Sequence, residues 1–115
     1  MMEAFDTFKD TLKERKESIR CCYKISDTDV ECLFKLIELG EPKTSVELGK
    51  IMGLSKTTVE NSMKKLIELG LVERIKVDGK KIGRPKFLYV ISDSFQERVK
   101  ADLKRCAEKI LSATS

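Results

Sequence analysis

A mostly helical fold with one small β-hairpin, an α+β arrangement, is predicted by three features of this chain. Residues 48–72, LGKIMGLSKTTVENSMKKLIELGLV, read as a short apolar helix that stops at Gly53, a turn through Leu54 and Ser55, and a longer helix that opens on small polar and basic residues. That is the layout of a helix-turn-helix, whose second helix presents its first turns to a DNA groove. Residues 71–77 and 86–91 then read as two strands around DGKKIGRP, with Asp78-Gly79 and Gly83 as turn formers. Outside this core, both ends of the chain carry narrow apolar stripes at helical spacing.

In chain order, residues 3–20 place Phe5, Phe8, Leu12 and Ile19 on one stripe with charges between. A second helix starts at Ser26 or Asp27, with Asp29 in its first turn. It carries Val30, Leu33, Phe34 and Ile37 on one side and stops at Gly40. Pro42 cannot continue a helix, so residues 41–43 form a connector. Thr44 or Ser45 caps the third helix, and Val46, Leu48, Ile51 and Met52 are its expected buried side. Gly49 is unfavourable in a helix interior by about 1 kcal/mol relative to Ala. A bulkier side chain there would push the two helices of the motif apart. Gly53 supplies the positive-φ corner.

Ser55 is a suitable N-cap for the fourth helix, in which Val59, Met63, Leu66 and Leu69 form an inward face. Gly70 ends that helix and Leu71 folds back over it. Ser92 or Asp93 caps a last helix carrying Phe95, Val99, Leu103, Cys106 and Ile110. The segment KLIELG occurs at 35–40 and again at 65–70, but the flanks do not match. Two helices ending by the same chemistry explain this better than a duplication.

A chain of 115 residues is enough for one domain with a modest core. Its composition, 37% charged and 41% hydrophobic, is that of a soluble globular protein. No apolar run approaches the ~20 residues needed to cross a bilayer. The alternation of charge and apolar residues from Met1 to Arg20 is unlike a signal peptide, so a cytoplasmic location is expected. The chain has no histidine, which removes the commonest general base and metal ligand. No acidic pair, Gly-rich phosphate loop or nucleophile elbow stands in its place. The expectation is a protein that is not an enzyme and needs neither metal nor cofactor.

The net charge of +4 is concentrated. Between residues 72 and 86 six cations (Arg74, Lys76, Lys80, Lys81, Arg84, Lys86) face only Glu73 and Asp78, so this stretch accounts for the whole excess. Such a patch suits a polyanion. With Val59, Met63, Leu66 and Leu69 inward, the outward set at the front of the fourth helix is Lys56, Thr57, Thr58, Asn61 and Ser62, followed by Lys65. Asn pairs bidentately with adenine and Thr meets the thymine methyl, so Asn61 and Thr57 are the candidates for base edges. Lys56, Lys65 and Ser45 are candidates for phosphates, with Thr44 and Ser55 at the helix starts beside them. In the hairpin loop, Lys80, Lys81, Arg84, Pro85 and Lys86 form the basic tip. Gly83 permits close approach and Pro85 fixes the chain just after Arg84, which suits a narrow, electronegative minor groove. A solvated surface helix would look similar taken alone, but the turn before it and the basic hairpin after it favour DNA.

Residues 26–91 resemble the winged helix-turn-helix of MarR-like and TrmB-like transcriptional regulators, the small archaeal ones above all. The resemblance is carried by Glu47-Leu48-Gly49, by Gly53-Leu54-Ser55-Lys56-Thr57-Thr58-Val59, by Leu66-Ile67-Glu68-Leu69-Gly70-Leu71-Val72, and by Gly83-Arg84-Pro85 with Tyr89. It implies a homodimer on a palindromic operator. Larger TrmB-like proteins add a C-terminal sugar-binding domain, for which this chain has no room, so a response by that route is not expected.

The expected organisation is an N-terminal packing or dimerisation helix (1–25), the DNA-binding domain (26–91) and a C-terminal dimerisation helix (92–115). The terminal stripes could pack on each other or on a second copy. A C2 dimer accounts for both and sets two recognition helices ~34–36 Å apart. The expected partners are double-stranded DNA and a second copy of the chain, with no membrane. Two other readings are a nucleoid-type binder of low sequence preference and a winged-helix module that binds protein. The four cysteines, Cys21, Cys22, Cys32 and Cys106, show no metal-binding spacing. They are expected reduced, with Cys106 a small apolar filler. Cys21 and Cys22 are thiol-sensor candidates because Arg20 and Lys24 lie close by.

Overall fold

The computed structural model describes residues 15–77 and 86–114. Residues 1–14, with Phe5, Phe8 and Leu12 of the expected first stripe, and 78–85, with most of the basic loop, lie outside the described residues. The described residues form five helices and two strands, in order α1 (Lys16–Tyr23), α2 (Asp27–Leu39), α3 (Ser45–Met52), α4 (Lys56–Glu68), β1 (Val72–Val77), β2 (Lys86–Ile91) and α5 (Phe95–Thr114). This is a winged helix-turn-helix flanked by terminal helices, as expected.

The helix starts follow from local chemistry. Ser26 caps α2: its side chain accepts from Asp29 N–H while the Asp29 carboxylate accepts from Ser26 N–H, both at 3.1 Å. Thr44 and Glu47 repeat this box on α3. Ser55 caps α4 by accepting from Thr58 N–H at 3.1 Å. Each cap satisfies backbone donors that the first turn leaves unpaired, and each contributes ~1 kcal/mol. The stops are equally local. Gly40 and Gly53 adopt φ of 67° and 71°. At the end of α4, Leu71 N–H donates to Leu66 O and Gly70 N–H to Ile67 O, a Schellman motif that satisfies the last carbonyls.

The core gathers Ile19, Val30, Leu33, Phe34, Leu36, Ile37, Leu48, Val59, Met63, Leu66, Leu71, Val72, Tyr89, Phe95 and Val99. Burial of each large apolar side chain is worth roughly 1.5–3 kcal/mol before entropy is subtracted. On α2 the expected stripe is buried, and Cys32 and Leu36 join it, because more than one element packs on this helix: Cys32 meets Ser62 of α4, and Leu36 lies with Ile91 and Phe95 at the junction of β2 and α5. On α3 the expectation fails in part. Val46 and Ile51 are 45% and 47% exposed, while Ser45, Leu48 and Gly49 are buried. Positions 45, 48, 49 and 52 share one helical face; 46 and 51 do not, apolar as they are.

Gly49 sets how close α3 and α4 come. A Cβ built there would lie 2.6 Å from the Leu54 carbonyl oxygen, a backbone atom that cannot swing away. The Gly49 carbonyl in turn accepts from Leu54 N–H at 2.8 Å. The glycine is therefore part of the turn.

The strands pair antiparallel, from Val72 opposite Ile91 to Val77 opposite Lys86. Lys43, in the connector before α3, exchanges both backbone hydrogen bonds with Tyr89 (3.1 and 2.8 Å) and ties the hairpin to the helix-turn-helix. The helix α5 starts later than the expected Ser92 or Asp93 cap. Ser92 N–H bonds back to Leu71 O, and the first bond within the last helix runs from Arg98 N–H to Ser94 O.

The terminal helices pack on each other. Tyr23 donates to Asp102 Oδ2 at 2.7 Å, and Arg98 Nε–H donates to Leu69 O at 2.9 Å, which holds α5 against the end of α4. Arg105 pairs with the same Asp102. Burial, aided by the Asp102 carboxylate, pushes the Tyr23 hydroxyl well above its ordinary pKa. Cys22 and Cys106 form a disulfide with Cα atoms 5.9 Å apart, joining α1 to α5 across 84 residues. This overturns two expectations: Cys106 is not a free apolar filler, and the cysteines are not all thiols. Sequence spacing carries no sign of the pairing, because it depends on how two distant helices meet.

Two outcomes are expected in denaturation experiments. Gly49→Ala should destabilise by roughly 1–3 kcal/mol through overpacking against backbone, despite the better helix propensity of alanine; a midpoint at or above that of the unsubstituted protein contradicts the close approach. Reduction of the disulfide, or Cys106→Ser, should remove roughly 2–5 kcal/mol because it closes a long loop; identical melts with and without reductant contradict it.

Candidate nucleic-acid interface

The fourth helix turns two kinds of surface outward. At its N-terminal end Lys56, Thr57 and Asn61 are exposed, followed by Lys64 and Lys65. Thr57 and Asn61 are one turn apart on the same side. Thr58 is half-buried, with its hydroxyl 2.8 Å from that of Ser55. The hydroxyls of Ser55 and Thr44 accept the capping bonds of α4 and α3, so both residues position helix ends first.

Two of the expected contact residues sit elsewhere. Ser62 is only 3% exposed, between Val59 and Met63 on the inward side of α4. Its hydroxyl contacts the buried Cys32 thiol; burial raises the pKa of that thiol, and the contact with Ser62 opposes the rise. Three residues on from Val59, Ser62 belongs to the inward stripe, although its small polar side chain suggests an outward position. Ser45 is 6% exposed and donates to Glu60 Oε2 at 3.3 Å, bonding α3 to α4. Neither hydroxyl is available to a groove.

Sequence reasoning gives no individual role to two residues that the fold brings to the same face. Lys64 and Arg74 line a groove of about 1190 Å³ between α4 and the hairpin, together with Asn61, Ile75 and Phe87. The Arg74 guanidinium lies over the Phe87 ring, 4.3 Å from its centroid. In the sequence Arg74 counts only toward the net charge of the hairpin, because its direction depends on strand register. Lys80, Lys81, Arg84 and Pro85 lie outside the described residues; Lys86 opens β2.

The thiol-sensor candidates are divided. Cys22 is bonded to Cys106, whereas Cys21 is exposed and free. Among the described residues, no group of histidine, cysteine and carboxylate side chains is arranged to hold a metal ion, and no helix is long and apolar enough to cross a membrane.

Residues 19–93 match the family model described as the sugar-specific transcriptional regulator TrmB. The chain belongs to the TrmB family. Among solved structures, this TrmB-family regulator is similar to the ST1889 protein of the thermoacidophilic archaeon Sulfolobus tokodaii, with 50% identity, 90% of this chain and 98% of that one covered, and a TM-score of 0.80. A "possible transcriptional regulator" of Methanosarcina mazei is 17% identical over 85% of this chain and 80% of that one, with a TM-score of 0.73. A substituted MepR from S. aureus, solved bound to an oligodeoxyribonucleotide, is 17% identical over 98% of this chain and 80% of that one, with a TM-score of 0.59. No curated protein sequence matches the chain. The TrmB-family chain is thus a winged-helix transcriptional regulator and not an enzyme.

The exposure pattern of α4 makes a direct test. Asn61→Ala should leave stability within about 0.5 kcal/mol, as for a surface substitution, whereas Ser62→Leu should destabilise by roughly 1–3 kcal/mol through overpacking. Equal melting temperatures for the two variants would contradict the assigned faces.

Proposed function

We propose that this regulator binds double-stranded DNA sequence-specifically as a homodimer, with α4 in the major groove and the basic wing at the adjacent minor groove or backbone. The observation that carries the reading is the common groove that joins Asn61 and Lys64 of α4 to Arg74 of the hairpin. A helix and a wing that open onto one concavity can engage one duplex together. In this reading Asn61 and Thr57 meet base edges, Lys56 and Lys65 meet phosphates, and Arg84, beside Lys80, Lys81 and Lys86, enters the narrow groove. Ser55 and Thr44 orient the helix starts whose N–H groups face the backbone. The DNA-bound MepR structure is consistent with this use of the fold.

Dimerisation is assigned to the terminal helices. The last helix is 20 residues long; Phe95 and Val99 near its start join the core and Leu103 packs against it. A second copy packed along the remainder would set the two recognition helices about one turn of DNA apart.

Selection of bound duplexes from a random pool tests the reading. A palindromic consensus is the expected result, and equal binding to all duplexes would favour a nucleoid-type binder. No binding to any duplex would favour a protein-interaction module. On a selected duplex, Arg84→Ala should weaken binding by roughly 1–3 kcal/mol. Raising salt from ~50 to ~200 mM should lower affinity by orders of magnitude if ~6–10 phosphates are neutralised. Sedimentation of the free protein at the mass of one chain would exclude the dimer.

A further inference from the structure

In B-form DNA one sugar-phosphate strand separates a major groove from the minor groove beside it. A protein that puts a helix in the first and a hairpin in the second must straddle that strand, and the channel between helix and hairpin is where the strand passes. Here that channel has cationic side chains on both walls: Lys64 from α4 and Arg74 from β1. We propose that Lys64 and Arg74 form a phosphate clamp on this strand, with Arg74 aimed by Phe87. The inference rests on the DNA-binding reading above and adds a contact site to it.

Three observations support the clamp. The first is orientation. Arg74 is directly opposite Tyr89, and Lys76 opposite Phe87, so Arg74, Lys76, Phe87 and Tyr89 share one face of the hairpin. That face is turned to α4, because Tyr89 is buried and feels the charges of both Glu60 and Arg74. The second is rigidity. Arg74 sits in the paired body of the strand, and its guanidinium is stacked on Phe87 at 4.3 Å. A flat guanidinium held on a ring keeps its edge N–H groups free for phosphate oxygens and has less freedom to lose on binding. The third is availability. Among the described residues, neither Lys64 nor Arg74 forms an ion pair, whereas Arg98, at the other end of the channel, is engaged by Leu69 O and Asp102.

The acids of the channel define which part receives the strand. Glu60 is bonded to Ser45 and so turned into the protein. Glu68 lies in the last turn of α4, about two turns from Asn61. Glu73 neighbours Arg74 in sequence, on the opposite face of the hairpin. The phosphate strand is therefore expected across the Asn61–Lys64 end.

The test compares the full chain with Arg74→Ala, Lys64→Ala and Phe87→Leu on a selected duplex and on a random duplex of the same length, over a range of salt. Arg74→Ala and Lys64→Ala should each weaken both duplexes by the same factor, about tenfold, because a phosphate contact carries no sequence information. The salt slope should fall by about 0.9 for each phosphate that is no longer neutralised. Phe87→Leu should lower affinity but keep the salt slope, since the charge remains while its aim is lost. If a variant melts early, methylphosphonate duplexes probe the unsubstituted protein: neutralising the phosphates between the two grooves should weaken binding. Unchanged affinity of Arg74→Ala, or insensitivity to those methylphosphonates, overturns the clamp while leaving DNA binding intact. A changed preference at one base pair would make Arg74 a base reader and overturn it equally. If the unsubstituted protein binds no duplex, the parent reading fails and the clamp with it.

Discussion

The close approach of α3 to the turn before α4 is the constraint on which the rest of the structure depends. At Gly49 there is no room for a single extra carbon, because the Leu54 carbonyl oxygen occupies its place at 2.6 Å. That contact sets how α4 crosses α3. The crossing decides which residues of α4 are inward, and hence which are outward. The burial of Val59, Met63 and Leu66, the bond from Ser45 to Glu60, and the exposure of Thr57 and Asn61 all follow from it. A wider approach would change which side chains of α4 face outward.

The hairpin is held to this frame by two sets of bonds. Lys43 exchanges backbone hydrogen bonds with Tyr89, so the connector before α3 acts as a short third strand. Ser92 N–H bonds to Leu71 O, closing the base of the hairpin. Tyr89 and Val72, both buried, anchor its root in the core, while Arg74, Ile75, Lys76 and Val77 remain exposed beyond. A wing anchored at its root, with exposed cationic and apolar residues alternating further out, can project toward a partner without losing its register.

A second network connects the ends of the chain to α4. The disulfide Cys22–Cys106 and the Tyr23–Asp102 bond join α1 to α5, and Arg98 joins α5 to the last carbonyls of α4. Asp102 also receives Arg105 and Arg98, so one carboxylate collects a tyrosine and two arginines. The arrangement holds the terminal helices as one unit against the end of α4. It also explains why the terminal stripes are not both free for a second copy: part of each is satisfied within the chain.

The local signals in the sequence determined the elements. Caps at Ser26, Thr44 and Ser55, stops at Gly40, Gly53 and Gly70, and the strands on either side of Asp78-Gly79 depend on neighbours a few residues away, so they are written in order along the chain. The helix-turn-helix layout, the inward face of α4 and the outward Lys56, Thr57, Asn61 and Lys65 were legible for the same reason. Tertiary structure decided the rest. Ser45 and Ser62 are polar residues that the helix crossing buries, and Val46 and Ile51 are apolar residues that it leaves outside. Lys64 and Arg74 come together only once the hairpin folds beside α4, and Cys22 finds Cys106 only when the two ends of the chain pack. Residue type predicts burial on average, but the face that a residue occupies is set by whatever element packs against it, and that element lies far away in the sequence.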